Sequence, residues 1–413
     1  MKVYLVGGAV RDQLLGYPVN ERDWVVVGET PQTLLNQGYQ QVGRDFPVFL
    51  HPDTREEYAL ARTERKSAPG YYGFICDFNP GVTLNDDLAR RDLTINAIAM
   101  DADGQLIDPY HGMDDLRAKV LRHVSPAFVE DPVRVLRVAR FIARYHHLGF
   151  TLANETRVLM YTMVRNGELA HLVAERVWQE LLGSLQEKNP ELFICTLRAC
   201  DALRVVLPEL ERLFGAPNPR RYHPEVDSGV HTLLALSQAV QLSDDPMVRF
   251  ATLVHDLGKA RTPISAWPSQ RGHEELGLPM IDALCQRLRI PVNYRKFALM
   301  VSRFHLNIHR LRELRADTIV HIFERTDAFR RPQLFEKLLT VCEADARGRT
   351  LKTDYQQAQR WLHLLSECRK VTVKSLIEQG LIGQQSEGEA IKLSLHQHRV
   401  TCVKHFSWTN DET

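Results

Sequence analysis

The spacing of the apolar residues changes near residue 126, and this change restricts the fold more than any other feature of the sequence. Before it, short β-branched runs such as residues 2–6 and 24–27 alternate with glycine and proline, which is typical of strands in a mixed α/β region. After it, a helical apolar period runs through residues 133–145, 155–164 and 175–185. We therefore expect an α/β region followed by an all-α remainder.

Within the first part, residues 46–50 and 58–62 are predicted to be further strands, and residues 9–15 a short helix. Residues 101–104, Asp-Ala-Asp-Gly, are typical of a hairpin turn. A proline-rich stretch at residues 215–224 is predicted to be a linker, and the last sixty or so residues have a helical pattern.

Composition restricts the function less than the pattern does. A chain of 413 residues suggests two to four domains, and 52 basic against 51 acidic residues leaves RNA open as a partner, because binding needs only a local basic stripe. The seven cysteines contain no Cys-x-x-Cys pair, which argues against a disulfide framework or a cysteine zinc site. No signal peptide or membrane-spanning apolar run is recognisable, so we expect a soluble, cytoplasmic protein.

Residues 7–12, Gly-Gly-Ala-Val-Arg-Asp, lie between a predicted strand and a predicted helix. Gly8 would let the backbone approach a ligand closely, and Arg11 adds a planar cation suited to phosphate oxygens. The alternative is an ordinary β-to-α turn with a surface arginine.

Glu21 and Asp23 directly precede a predicted strand, and on an extended chain they would project from the same face. Paired carboxylates suit Mg²⁺ and a phosphoryl-transfer site. Acidic residues before a strand are also common in loops. Residues 90–97, Arg-Arg-Asp-Leu-Thr-Ile-Asn-Ala, could add phosphate-binding arginines or could be a solvated charged turn.

The predicted helix at residues 133–145 follows Asp131, which can cap it. Its arginines fall on one face, and a solvated basic face is the usual explanation of such a stripe. These residues are Arg134, Arg137, Arg140 and Arg144.

Histidines are concentrated in a later region. Histidine with carboxylate suits a divalent transition metal and the generation of hydroxide, although a single histidine on an apolar helix is usually a core residue. The residues are His231, the adjacent pair His255 and Asp256, then His273, His305, His309 and Asp345.

Taken together, the first three motifs closely resemble the bacterial CCA-adding enzymes and poly(A) polymerases, class II of the polymerase β-like nucleotidyltransferases. The resemblance covers about the first 145 residues. It implies a polymerase β-like head in which Gly8, Arg11 and Arg91 bind ATP or CTP, and in which Glu21 and Asp23 are catalytic and hold Mg²⁺. The family usually has aspartate at the position of Glu21. Glu57 is the candidate for a third carboxylate, with Glu56 beside it.

The same resemblance implies that Asp131 and Arg134 recognise the incoming base, and that Arg137 and Arg140 hold the triphosphate. Selection by side chains explains addition without a template. Residues 62–72 would form a flexible loop that helps to change the specificity from C to A.

The histidine-rich region resembles the HD phosphohydrolase superfamily through His231, His255, Asp256 and Asp345. The implied cofactor is Ni²⁺ or a similar ion, with His273 and His305 as outer ligands or phosphate contacts. In some Gram-negative CCA-adding enzymes such a domain confers 2′,3′-cyclic phosphodiesterase, 2′-nucleotidase and phosphatase activities.

These observations predict a nucleotidyltransferase head at residues 1–125, a helical neck and body at 126–222, an HD domain at 223–350 and a helical tail at 351–413. The predicted partners are the tRNA 3′ end, ATP and CTP, with no membrane, and the chain would be a monomer or homodimer. The alternatives are a poly(A) polymerase, an enzyme that adds only CC or only A, and an HD hydrolase with a decayed transferase site.

Overall fold

The computed structural model describes residues 1–19, 21–42, 48–66, 74–221, 225–349, 355–383 and 387–406. The predicted specificity loop lies largely outside these ranges, as do the first two residues of the predicted strand at 46–50. The chain divides into two compact units, Met1–Leu207 and Pro208–Thr413. The sequence predicts a boundary at residue 222, and the division into head, neck and body, HD domain and tail stays a proposal.

The first unit has an α/β part followed by helices. Its strands are β1 (Lys2–Val6), β2 (Asp23–Val27), β3 (Gln40–Val42), β4 (Val48–Leu50), β5 (Glu57–Leu60), β6 (Thr63–Lys66), β7 (Phe74–Asp77), β8 (Ala99–Met100), β9 (Leu106–Ile107), β10 (Val120–Leu121) and β11 (Thr151–Leu152). Its helices are α1 (Gly8–Leu14), α2 (Pro31–Asn36), α3 (Leu84–Ala89), α4 (Gly112–Ala118), α5 (Val133–Tyr145), α6 (Asn154–Arg165), α7 (Ala174–Leu185), α8 (Glu191–Ala199) and α9 (Leu203–Val206).

The main sheet has the strand order β3-β4-β5-β2-β1-β8-β9. Its central strand β2 runs antiparallel to β1 and parallel to β5. Because successive side chains on a strand point to opposite faces, Val25 packs into one apolar cluster with Val6 and Leu88, whereas Val26 packs into another with Leu34 and Phe49. Apolar side chains therefore cover both faces of the sheet. The polar residues available for a functional site lie at the ends of the strands.

The predicted elements of this unit are largely confirmed. β1 and α5 have the predicted bounds, and the other predicted strands and helices are shifted by one or two residues. The hairpin turn is confirmed, because the Gly104 amide donates to the Asp101 carbonyl at 3.1 Å between β8 and β9.

The second unit is helical in its described part, as predicted. Its helices are α10 (Pro208–Glu211), α11 (Ser228–Leu242), α12 (Pro246–Val254), α13 (His273–Arg287), α14 (Val292–His309), α15 (Ala316–Arg325), α16 (Pro332–Gly348), α17 (Gln357–Lys370), α18 (Val373–Glu378) and α19 (Gly388–Lys404). Helices α11, α12, α14 and α16 pack against one another, and α13 packs against α14.

The linker prediction is wrong for the residues that the structure describes between 215 and 221. They belong to the second unit, where Pro217 pairs with Asp227 in an isolated bridge. Asn218 is buried, and its Oδ1 accepts hydrogen bonds from Ser228 Oγ and Lys259 Nζ, both at 3.0 Å. Proline content gave a misleading signal, because these residues pack against α11 instead of connecting two units.

Across the described ranges, no helix combines the length and the apolar character needed to cross a membrane. All seven cysteines are free thiols.

Candidate functional site

Asp23 is the first residue of β2, and its strand neighbours bring further acidic groups to it. It pairs with Val6 on β1 and lies directly beside Glu57 on the parallel strand β5. Glu21 precedes the strand, because β1 ends opposite Asp23 and offers no further backbone partner. The prediction that Glu21 and Asp23 project from the same face stays a prediction, and the charge of Glu21 acts on the Asp23 carboxylate.

The register also separates Glu57 from Glu56. Trp24 Nε1 donates a hydrogen bond to Glu56 Oε2 at 2.9 Å, and Arg22 lies 3.7 Å from Glu56 Oε1. Glu56 is therefore occupied by Trp24, the residue after Asp23, whereas Glu57 is the cross-strand neighbour of Asp23 itself. Of the two, Glu57 is the better candidate for a third acidic group.

The charges around Asp23 act in opposite directions. Partial desolvation raises the pKa of Asp23, the guanidinium of Arg91 opposes this shift, and the nearby charge of Glu21 adds to it. Adjacent carboxylates repel each other, and a divalent cation with oxygen ligands would relieve that repulsion. The donor set at the end of β2 therefore fits Mg²⁺.

Arg11 and Arg91 meet at Asn96. Arg11 is buried, and its Nη1 donates to Asn96 Oδ1 at 2.6 Å, while Arg91 Nη1 donates to the Asn96 carbonyl at 3.4 Å. Gly7 has φ of +68°, and a Cβ there would lie 2.6 Å from Arg91 Nη1. Glycine is needed at this turn both for the left-handed backbone and for the space that Arg91 fills.

Asn96 also connects this turn to helix α5. Its Nδ2 donates to Asp92 Oδ1 at 2.8 Å, and Arg137 Nε donates to Asp92 Oδ2 at 2.7 Å. Burial alone would raise the pKa of Asp92, but Arg137 and the Asn96 amide hold it well below its ordinary value. Asp92 is thus an anion that joins the glycine turn to the arginine face of α5.

The residues proposed to recognise the base are held by protein groups. Arg176 donates two hydrogen bonds to Asp131, Nη1 to Oδ1 at 3.0 Å and Nη2 to Oδ2 at 2.7 Å. Arg134 is 7% exposed and donates to the carbonyls of Ala127 at 2.7 Å and Arg90 at 2.5 Å. Both side chains are therefore fixed in direction.

The remaining arginines of α5 also have carboxylate partners. Arg140 Nε donates to Glu180 Oε2 at 2.6 Å, and Arg144 Nη2 donates to Asp12 Oδ2 at 3.1 Å. Sequence reasoning missed Glu180 and Arg176, both on α7. The sequence signal for Glu180 was an acidic residue on the apolar face of that helix, where Glu180 is buried with Val177 and Leu181.

In the second unit, four residues predicted for a metal come together although they are distant in the chain. His231, His255 and Asp345 form one group whose ligand atoms lie within 4.8 Å of one another. His231 Nε2 is 2.8 Å from Asp345 Oδ1, and His255 Nε2 is 3.9 Å from the same oxygen. All three residues are buried.

Asp256 belongs to a second group, with His273 and His305. Its Oδ1 lies 3.1 Å from His273 Nε2 and 3.7 Å from His305 Nε2. Its Oδ2 lies 3.2 Å from His255 Nε2, so the carboxylate lies between the two groups. His273 and His305 were predicted as outer ligands or phosphate contacts, and they form a ligand group of their own with Asp256.

Three of these histidines share one arrangement. Each directs Nδ1 at the backbone carbonyl three residues earlier: His255 at Thr252 (2.7 Å), His273 at Gln270 (2.9 Å) and His305 at Ser302 (2.7 Å). Because a carbonyl only accepts, Nδ1 carries the proton and Nε2 offers a lone pair.

The Nε2 lone pairs of these histidines are suited to bind a cation. His273 Nε2 and His305 Nε2 are 3.3 Å apart, and burial lowers the pKa of His305 to about 3, so its ring is neutral. His255 Nε2 has no hydrogen bond of acceptable geometry within the described residues. Buried polar atoms without partners are costly, and neutral imidazoles with carboxylates are typical ligands of divalent transition metals. The residues therefore fit such an ion.

A close backbone contact brings Asp256 to His273. A Cβ on Gly258 would lie 1.9 Å from the His273 carbonyl oxygen, so only glycine allows this approach to α13. Lys259 Nζ lies 2.7 Å from Asp256 Oδ2 and also donates to Asn218. Gly258 and Lys259, which follow the His-Asp pair, therefore hold Asp256 in position, a role that the sequence reasoning did not assign.

Family models match three parts of this chain. Residues 3–122 match the poly A polymerase head domain, residues 149–214 match a family described as "Probable RNA and SrmB- binding site of polymerase A", and residues 229–345 match the HD domain. Among solved structures, a CCA-adding enzyme in apo form II has a TM-score of 0.66 at 21% identity, covering 100% of this chain and 89% of that one. The Thermotoga maritima CCA-adding enzyme complexed with tRNA has a TM-score of 0.61 at 21% identity, covering 100% and 88%. At these identities the similarity establishes the fold.

Curated relatives are much more similar in sequence. The multifunctional CCA protein of Legionella pneumophila (strain Paris) is 66% identical over 414 residues, covering 100% of both chains. That of Thioalkalivibrio sulfidiphilus is 57% identical over 406 residues, covering 98% of each. With a polymerase-type head, an HD domain and this identity over its whole length, the chain belongs to the family of multifunctional CCA proteins.

Proposed function

We propose that this chain adds or repairs the 3′-terminal C-C-A of tRNA from CTP and ATP without a template. The observation that carries this proposal is the strand register of Asp23 and Glu57 beside Glu21, with Arg91 close enough to oppose the pKa shift of Asp23. Acidic groups and arginines in this arrangement suit the transfer of a nucleotide from a triphosphate.

In the proposed reaction, the 3′-hydroxyl of tRNA attacks the α-phosphate of CTP or ATP. A bond forms between O3′ and the α-phosphorus, the bond to the bridging oxygen breaks, pyrophosphate leaves and the hydroxyl proton is released. Mg²⁺ held by Glu21 and Asp23 would shield the phosphate charge. Gly8 lets the backbone approach the nucleotide, and Arg11 and Arg91 bind phosphate oxygens.

Base selection is assigned to Asp131 and Arg134, and binding of the triphosphate to Arg137 and Arg140. The two hydrogen bonds from Arg176 to Asp131, and the carbonyl contacts of Arg134, support this role because they hold each side chain in one orientation. A rigid donor and acceptor pattern is what recognition of C and A by side chains requires.

Extension of a tRNA that ends at the discriminator base tests this proposal. With Mg²⁺ and CTP plus ATP, the products should stop at three added nucleotides, and A should be added only after two C. A long A tail would instead identify a poly(A) polymerase, and products limited to CC or to A a partial enzyme. No incorporation would leave an HD hydrolase with a decayed transferase site.

We also propose that the second unit hydrolyses phosphate esters at RNA 3′ ends, with 2′,3′-cyclic phosphodiesterase, 2′-nucleotidase and phosphatase activities. The supporting observation is the pair of buried ligand groups that meet at Asp256. The ion would be Ni²⁺ or another divalent transition metal, held by His231, His255, Asp256 and Asp345. Such an ion would supply Lewis acidity toward a phosphate.

Metal removal tests the hydrolase proposal. Dialysis against a chelator should abolish hydrolysis of 2′,3′-cyclic nucleotides, and Ni²⁺ should restore it, as measured by the release of the 2′- or 3′-monophosphate. Transferase activity of the same sample, assayed with Mg²⁺, is the control for intact protein. Hydrolysis that persists after all bound metal has been removed would contradict the proposal.

We also propose the predicted domain boundaries. The protein would be cytoplasmic, and it would be a monomer or a homodimer. The tRNA would be bound by the helical region at residues 126–222. An HD activity next to a transferase would trim phosphorylated 3′ ends so that they can be extended.

A further inference from the structure

Asp345 is held through both of its carboxylate oxygens. Oδ1 faces His231 at 2.8 Å and belongs to the first ligand group, whereas Oδ2 lies 2.6 Å from His309 Nε2. His309 belongs to neither ligand group. It contacts Asp345 at the oxygen that does not face His231 and His255.

The ring of His309 is oriented differently from those of His255, His273 and His305. Its Nδ1 lies 3.1 Å from the Tyr355 hydroxyl instead of a backbone carbonyl. A hydroxyl can donate, and when Tyr355 donates to Nδ1, a neutral ring carries its proton on Nε2. That proton then points at Asp345 Oδ2, and all donors and acceptors in the chain Tyr355–His309–Asp345 agree.

The position of His309 is restrained by its neighbours. His309 is the last residue of α14, and the carbonyl of the preceding residue, Ile308, accepts a hydrogen bond from Trp361 Nε1 at 3.0 Å. Trp361 is fully buried on α17. This hydrogen bond fixes the C-terminal end of α14, from which His309 contacts Asp345.

We infer that Tyr355 and His309 are positioning residues, which hold Asp345 Oδ2 so that Oδ1 is presented to a divalent cation with His231 and His255. This inference rests on the proposed metal-dependent function of the second unit. Partners of metal ligands fix the orientation of the ligand, and their loss commonly weakens metal binding by about tenfold to a hundredfold.

The test compares four single variants and one double variant of the full chain by equilibrium dialysis with Ni²⁺ and by the visible spectrum of bound Co²⁺. His309→Leu, which removes the donor, should weaken Ni²⁺ binding by about tenfold or more and change the Co²⁺ spectrum. His309→Gln should retain most of the affinity, because its amide can replace Nε2–H. Tyr355→Phe should weaken binding in the wild-type chain and have no effect in the His309→Gln chain. Tyr294→Phe, on α14 but packed against Phe250, is the matched control.

The outcomes separate the inference from the function on which it rests. If the wild type binds neither ion, the metal-dependent function itself fails. If the wild type binds and His309→Leu matches it in affinity and spectrum, only the positioning role is overturned. An equal effect of Tyr355→Phe with and without His309→Gln would also overturn it, because Tyr355 would then act independently of His309.

Discussion

Asp23→Asn is expected to reduce nucleotide incorporation into tRNA by about a thousandfold or more, with little change in folding. Asp23 is exposed at the start of β2, so the loss of its charge removes no core contact. The charge lies beside Glu57 and is the group most suited to hold Mg²⁺ against a triphosphate. Loss of a group that stabilises charge in the transition state commonly costs a hundredfold to a thousandfold, and removal of a metal ligand should cost at least as much.

The matched pair Glu57→Gln and Glu56→Gln makes the prediction specific. Glu57→Gln should slow incorporation strongly, whereas Glu56→Gln should stay near the wild-type rate, because Glu56 binds Trp24. The measurement is single-turnover incorporation of CTP at one-nucleotide resolution. Equal effects of the two substitutions would contradict the assignment of Glu57.

Glu21→Asp tests the position at which the family resemblance implies an aspartate. The extra methylene of Glu21 moves the carboxylate by about one carbon–carbon bond, and a misplacement of that size can slow catalysis considerably. We expect a working wild-type site whose rate changes in the variant. An inactive wild type together with an active Glu21→Asp variant would show that the natural site has decayed.

Asp256→Asn is expected to have the second large effect, a loss of phosphohydrolase activity of about a thousandfold or more. Asp256 lies between the two ligand groups, 3.2 Å from His255 Nε2 and 3.1 Å from His273 Nε2. Lys259 Nζ lies 2.7 Å from Asp256 Oδ2, so this buried carboxylate has a cationic partner and is charged. The amide keeps the shape and removes the charge that both groups share.

Metal content measured by mass spectrometry separates the two groups. We expect about one ion per chain in the wild type and in His305→Ala, which affects only the second group, and much less than one in Asp256→Asn. Transferase activity should remain in every variant, because these residues belong to the second unit. A wild-type metal content in Asp256→Asn would refute the shared role of this carboxylate.

The part of the fold that follows from local patterns could be predicted from the sequence. The alternation of β-branched residues indicated β1, and the helical period of the apolar residues indicated α5 over its full length. These patterns succeed because the period of side chains along one element is a property of its backbone geometry alone. The prediction of a linker at residues 215–224 is wrong for the residues that the structure describes, because composition does not reveal what packs against a segment.

The chemistry of the sites depended on contacts between residues far apart in the chain. His231 and Asp345 are separated by 114 positions and meet because α11 packs against α16. Glu57 is favoured over Glu56 only through the register of β5 against β2. No local pattern contains such information, because these pairings arise when helices and strands pack.

The sequence alone therefore indicated which residues are candidates for the chemistry, and the tertiary structure decided which of them meet and through which atoms. His305 and His309 are one helical turn apart on α14 and look equivalent in the sequence. The Ser302 carbonyl places the proton of His305 on Nδ1 and leaves Nε2 as a candidate ligand atom, whereas the Tyr355 hydroxyl lets His309 donate to Asp345. The physical reason is that an imidazole shares one proton between two nitrogens, and the neighbour that folding places at Nδ1 decides which nitrogen holds it.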